Sequence, residues 1–144
     1  MITWADEELC TDSDMKALES NVLTWTGPYG AATKWRTEAK RQITQRLRVH
    51  FINIDLVTDA AEPLDLISSV EPFRYAATYL SLHLLCNDCS TGPDQWAEKA
   101  RLYLAKFEEE WPNALALLSV DLDESGAIDD SEQYNVSTGL KFKR

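Results

Sequence analysis

The residues between Asp121 and Glu132 have the types and the spacing of a calcium-binding loop. Numbered as a twelve-residue loop, the segment places oxygen-bearing side chains at positions 1, 3, 5, 9 and 12 and a glycine at position 6, as an EF-hand does. A hard cation such as calcium prefers several oxygen ligands at about 2.4 Å. The candidate calcium ligands are Asp121, Asp123, Ser125, Asp129 and Glu132.

The sequence around this loop fits an EF-hand less well than the loop itself. An EF-hand has a helix after the loop, whereas residues 135–139 read Asn-Val-Ser-Thr-Gly, which disfavours a helix. EF-hands also commonly pair, and the sequence contains no second loop of this kind. The alternative interpretation is an acidic turn without a metal, anchored to the domain through Ile128.

A second candidate site is the His-x-x-Cys-x-x-Cys spacing of His83, Cys86 and Cys89. A structural zinc site requires four ligands, and Cys10 is the sole further cysteine. A reactive Cys-x-x-Cys pair is typically activated at a helix N-terminus, whereas this pair lies near the end of a predicted helix. Reduced thiols without a catalytic role, as in a cytosolic protein, remain the simpler interpretation.

The remaining sequence indicates no enzyme. It contains neither a Gly-x-Ser-x-Gly nucleophile motif nor a glycine-rich phosphate-binding loop. The two histidines, His50 and His83, lie in different predicted helices. We therefore expect no catalytic residues and no cofactor apart from the candidate calcium ion.

Length and charge narrow the class of protein further. The chain has 144 residues, of which 44% are hydrophobic, so we expect one folded domain. The start of the sequence is acidic and unlike a signal peptide, and no apolar run approaches the roughly 20 residues that cross a bilayer, so we expect no contact with membranes. Fourteen basic against 24 acidic residues give a net charge of −10, which disfavours a protein that coats DNA.

Hydrophobic periodicity predicts an all-α fold, a small bundle of four to five helices. Proline and glycine separate the periodic segments, and Pro112 is expected to end the last long helix. We place the bundle in residues 1–120 and an acidic turn with an extended C-terminal tail in residues 121–144. The predicted helices cover residues 12–25, 31–51, 72–87 and 93–111, with short ones after Pro63 and at 114–120.

The predicted helix at 31–51 concentrates positive charge on one face. Residues 121–132 carry many carboxylates, so the two regions are complementary. This complementarity fits packing between identical copies, as in a ring, or pairing within one chain. The candidate subunit-contact residues are Lys34, Arg36, Lys40, Arg41 and Arg48.

Three helical segments and the tail together resemble a known family. They are Ala-Lys-Arg-Gln-Ile-Thr-Gln-Arg-Leu at 39–47, the apolar run at 73–85, Trp-Ala-Glu-Lys-Ala-Arg-Leu-Tyr-Leu at 96–104, and Asp-Leu-Asp-Glu-Ser-Gly-Ala-Ile-Asp from residue 121. In helix order and tail character the chain resembles the head–tail connector, or adaptor, proteins of tailed bacteriophages. The resemblance implies a helical bundle without catalytic residues that forms a dodecameric homo-oligomer ring beneath the portal protein.

The same resemblance implies location and partners. The protein would lie in the neck of the virion after assembly in the host cytoplasm, between the portal and a tail or stopper protein. Genomic DNA would pass through the ring without specific binding, because a net charge of −10 in each copy repels phosphate. The C-terminal residues would dock on the portal, with Phe142 as an apolar anchor between lysines: Leu140, Lys141, Phe142, Lys143 and Arg144.

Overall fold

The structure, a computed structural model, describes residues 2–56 and 60–121 and is all-α within them. The α-helices are α1 (Asp12–Leu18), α2 (Thr33–Asn53), α3 (Arg74–Cys89) and α4 (Gln95–Leu117). Short 3-10 helices connect them, at Trp4–Asp6, Val22–Thr24, Gly27–Tyr29, Pro63–Leu66 and Glu71–Phe73. The predicted small helical bundle is confirmed.

Helix α3 lies at the centre of the bundle, as its apolar composition predicts. It packs against α4 along its length and against α2 on another side. The side chains of Leu80, Leu82 and Leu85 are almost completely buried. Helix α2 contributes one residue per turn to the core, at every fourth position: Trp35, Ala39, Ile43, Leu47 and Phe51.

The first predicted helix is wrong beyond Leu18. Helix α1 ends there, and Glu19 has an extended backbone conformation. The carboxylate of Glu19 accepts hydrogen bonds from Lys99 and Tyr103 of α4, so a tertiary contact holds the residue that ends the helix. The N-terminal cap of α1 is Thr11, because Thr11 and Asp14 form a reciprocal capping box.

Helix α4 continues through Pro112, so the predicted break at residue 111 and the separate helix at 114–120 are wrong. Proline removes one backbone hydrogen bond from a helix and clashes with the preceding turn. Continuing the helix nevertheless buries Ala114 completely and leads Leu118 into the core. Burial of these apolar side chains offsets the cost of the proline.

After α4 the chain runs antiparallel to the segment that follows Pro63–Leu66. Ile67 and Val120 form an isolated bridge. The Ser68 N–H donates to the Ser119 carbonyl at 3.0 Å, and the Asp121 N–H donates to the Leu66 carbonyl at 2.9 Å. Asp121, which the sequence analysis assigned to the tail, is 4% exposed and belongs to the bundle.

Two truncations test where the folded unit ends. Removal of residues 122–144 should change the free energy of unfolding by less than about 1 kcal/mol, because it deletes none of the buried side chains that the structure describes. Removal of residues 118–144 should lower it by about 3–5 kcal/mol, because it deletes the fully buried Leu118 and Val120. Urea unfolding followed by tryptophan fluorescence measures both, and equal stabilities of the two truncated proteins would contradict this boundary.

Candidate interaction surfaces

Two basic residues of α2 hold the N-terminal segment of the chain. The Lys40 ammonium donates to the carbonyls of Trp4 at 2.7 Å, Ala5 at 3.0 Å and Glu7 at 2.6 Å. The Arg36 guanidinium, 15% exposed, donates to Asp12 at 2.9 Å. Both side chains, which lie in the first half of α2, therefore bind residues near the start of their own chain.

Partial burial of the Lys40 side chain affects its pKa. Desolvation lowers the pKa of Lys40, while the carboxylates of Glu7, Asp6 and Glu8 oppose this shift. The contacts with three carbonyl oxygens satisfy all three ammonium donors. The indole of Trp4 adds a further attachment, since its Nε1–H donates to the Thr44 hydroxyl at 2.9 Å.

The other basic residues of α2 have acidic partners in the same chain. Arg41 donates twice to Glu38, at 2.9 and 2.6 Å, and this lowers the pKa of Glu38 to about 2. Arg48 donates twice to Glu62, at 3.0 and 2.7 Å, and lowers the pKa of that carboxyl. The remaining pairs are Arg46 with Glu108 and Lys34 with Asp88.

Most of the positive charges of α2 thus have carboxylate partners in their own chain outside residues 121–132. Pairing with residues 121–132, within one chain or between copies, stays a prediction. Exposed ion pairs of this kind are screened by solvent and contribute little to stability. The expected contact of Lys34, Arg36, Lys40, Arg41 and Arg48 with a second subunit stays a prediction.

A groove of about 620 Å³ lies between α2 and α4. Its lining includes Trp111 of α4 and Val49 of α2, which is 55% exposed. The Arg46 guanidinium lies over the ring of Trp111, 5.6 Å from its centroid. Polar side chains of α2 complete the lining of this α2–α4 groove: Arg41, Gln42, Gln45, His50 and Asn53.

A more apolar pocket of about 480 Å³ lies where α2 ends, and we call it the α2-end pocket. Asp55 has a left-handed backbone (φ 52°), and the Leu56 N–H donates to the Phe51 carbonyl at 3.0 Å. This helix ending turns Leu56 back toward Phe51. The apolar side chains of the lining are Phe51, Ile52, Leu56, Pro63 and Leu64.

The His83, Cys86 and Cys89 side chains are engaged separately. His83 Nδ1 lies 2.7 Å from the Ala100 carbonyl, and the Cys89 thiol donates to the Trp25 carbonyl at 3.6 Å. Burial raises the pKa of Cys86 to about 11, so its thiol is protonated at neutral pH. Among residues 2–56 and 60–121, no three His, Cys, Asp or Glu side chains are grouped to hold a metal ion.

Sequence reasoning missed a polar cluster between Glu19 and α4. Glu19 accepts from Lys99 at 2.7 Å and from the Tyr103 hydroxyl at 2.5 Å. Burial opposes ionisation of Glu19, but these two hydrogen bonds outweigh it and lower the pKa of the carboxyl. Lys99 and Tyr103 lie 80 and 84 residues from Glu19 in the sequence, so no local pattern could have indicated them.

No family model, curated protein or solved structure matches this chain. Within the described part of the chain, none of the helices combines the length and the apolar character needed to cross a membrane. The surfaces described above are therefore interpreted from their own geometry.

Most residues of the two remaining predicted sites lie outside the described residues. Asp121 is the one candidate calcium ligand within them, and it is buried. The other four candidate ligands, Asp123, Ser125, Asp129 and Glu132, lie beyond it, as does the whole expected docking tail at residues 140–144. Calcium binding at residues 121–132 stays a prediction.

Replacing Lys40 by methionine tests its role in holding the N-terminal segment. Lys40→Met should lower the free energy of unfolding by about 1–3 kcal/mol, because it removes the charged donor that the carbonyls of Trp4, Ala5 and Glu7 share. Lys16→Met is the matched control: the Lys16 side chain is exposed on α1, so a change within about 0.5 kcal/mol is expected. Chemical denaturation compares the two, and equal losses would contradict the assigned role.

Calorimetry tests the calcium prediction. Titration of the full chain with calcium should release or absorb heat that is lost in Asp129→Asn and kept in the matched variant Asp130→Asn, since position 9 of the loop is a ligand and position 10 is not. Neither residue belongs to the described bundle, so stability should not change. The absence of heat at millimolar calcium would leave the acidic turn as the correct interpretation.

Proposed function

We propose that this chain is a structural protein of the tailed-bacteriophage virion, a head-to-tail adaptor. In this proposal the chain forms a dodecameric ring beneath the portal and joins the head to a tail or stopper protein. The confirmed all-α bundle is consistent with the resemblance described above, and the role requires no catalytic residue.

The α2–α4 groove is the observation that carries this proposal. It combines a half-buried tryptophan, an exposed valine and several amide and guanidinium groups. Aromatic residues and arginine are enriched in protein–protein contacts, where an apolar centre is surrounded by a polar rim. Val49 and Ile52 lie three residues apart on α2, so their exposed side chains are neighbours on one helix face.

The pairing of the α2 arginines with carboxylates of the same chain supports the proposal that DNA passes through the ring without being bound by it. The arginines at 41, 46 and 48 each have a carboxylate partner, so the α2 surface does not present unbalanced positive charge there. A ring in which each copy carries −10 repels phosphate at its lumen. Under this proposal the positive residues of α2 stabilise the bundle and its contacts and do not hold DNA.

The position of Asp121 supports docking through the C-terminal residues. Asp121 is fixed to the bundle by its hydrogen bond to Leu66, and 23 residues, 122–144, follow it. A segment of this length can extend up to about 75 Å. It is therefore long enough to carry Phe142 and its basic neighbours to a portal above the ring.

Mixing the full chain with candidate portal proteins tests this function. We expect a complex whose native mass corresponds to one portal with a ring of this chain. Val49→Asp should weaken ring formation at least about tenfold, because it places a charge in an apolar contact. Leu104→Asp, at an exposed apolar position outside the groove, is the matched control and should assemble normally. Equal assembly by the two variants would contradict the groove as the contact.

A further inference from the structure

The solvent face of α4 carries an exposed stripe with an apolar centre and acidic ends. Its members follow each other at steps of four, three and four residues and therefore lie on one side of the helix: Glu98, Leu102, Ala105 and Glu109. All four side chains are exposed, and Leu102 is 51% exposed. We call this surface the α4 stripe.

The α4 stripe and the α2–α4 groove lie on opposite sides of α4. Trp111 of the groove follows Leu102 by 111 − 102 = 9 residues, which is about two and a half turns of an α-helix. The ring of Trp111 accordingly faces α2, where the Arg46 guanidinium covers it. When the groove of one copy binds the stripe of another, each copy keeps its second surface available for the same contact with a further copy.

The groove can accept a carboxylate from a partner. Its lining includes Arg41 and Arg46 and no carboxylate, although Glu38 and Glu108 pair with these arginines from outside the lining. Glu38 occupies the Nε and Nη2 donors of Arg41. The Arg41 side chain remains 55% exposed, and its Nη1 group can donate to a second acceptor.

The α4 stripe offers such a carboxylate. Glu98 pairs with Arg101 at 3.4 Å, whereas Glu109 forms no ion pair with any residue in the ranges 2–56 and 60–121. The charged side chains Glu98, Arg101 and Glu109 have a net charge of 1 − 2 = −1. A second groove is a less suitable occupant than the stripe, because arginines would then face arginines.

The spacing of the apolar and charged residues matches between the two surfaces. On α2, Val49 lies 49 − 41 = 8 residues from Arg41, about 12 Å along the axis. On α4, Leu102 lies 109 − 102 = 7 residues from Glu109, about 10 Å along the axis. A stripe that runs antiparallel to α2 therefore places Leu102 on Val49 when Glu109 reaches Arg41. Helices commonly dock in grooves through side chains with this kind of spacing.

We propose that the α2–α4 groove of one copy binds the α4 stripe of a second copy, with Leu102 on Val49 and Glu109 at Arg41. This inference rests on the proposed ring and names the two surfaces that meet in it. Contacts between two different surfaces close into a ring when the rotation between copies permits, whereas a contact of groove with groove ends at two copies.

Photo-cross-linking from position 102 tests this contact in the full chain without a portal. Leu102 is replaced by benzoylphenylalanine, the chain is irradiated at millimolar concentration, and the linked peptides are identified by mass spectrometry. We expect links to residues 41–53 or 111 of a second chain, and mixing isotope-labelled with unlabelled chains shows that two chains are joined. The same photoreactive residue at Tyr75, an exposed position of α3, is the control and should not select the groove.

Charge reversal tests the register of the two surfaces. Arg41→Glu and Glu109→Arg should each lower the yield about fivefold, because each places like charges opposite one another. The double variant restores an opposite pair and should recover the yield, which a damaged fold would not allow. Lys16→Glu makes the same change of charge on α1, outside both surfaces, and should leave the yield unchanged.

The outcomes separate this inference from the adaptor role. Links within one chain, links to another surface of the second copy, no links at all, or a double variant that does not recover would each overturn the inference. A portal complex of the expected mass, obtained together with any of these results, would leave the adaptor role standing without this contact. Links in the groove without any portal complex would keep the contact and remove the adaptor role.

Discussion

The burial of α3 is the constraint on which the rest of the structure depends. Its sixteen residues carry apolar side chains on nearly every face, so the helix is stable in water only when several neighbours cover it. Helices α2 and α4 provide two of those covers. The Cys10 thiol of the N-terminal region reaches the Ser81 hydroxyl at 3.6 Å, which shows that the N-terminal region contributes to a further cover.

This arrangement explains why many polar and charged side chains form contacts within the chain. Lys40 and Arg36 of α2 donate to backbone carbonyls of the segment that precedes α1. Glu19 attaches the connection after α1 to α4. These contacts tie the parts of the chain with the least regular structure to the two long helices. The positive residues that are conspicuous in the sequence thus stabilise the fold, whatever further contacts they make.

Local sequence patterns were sufficient to predict the long helices. They were insufficient where contacts between residues far apart in the sequence determine where a helix ends. The residues from Trp35 to Phe51 recur at every fourth position, and that pattern alone predicts the buried face of α2. The end of α1 depends on Glu19 meeting Lys99, and the continuation of α4 depends on burial of Ala114, so both involve contacts that no local pattern encodes. The α2–α4 groove and the α2-end pocket arise from the packing of separate segments, which explains why the sequence indicated charged residues there but no concave surface.

The antiparallel contact between residues 66–68 and 119–121 determines how a pull on the C-terminal segment would be transmitted. The two backbone hydrogen bonds lie across the direction of the chain, so tension along the segment loads them in shear, together with the buried side chain of Val120. Under a shear load the two hydrogen bonds must break together. A load that peeled one segment away from the other would break them one after the other. The load is thereby shared with the loop before α3 and does not fall on the last turn of α4 alone.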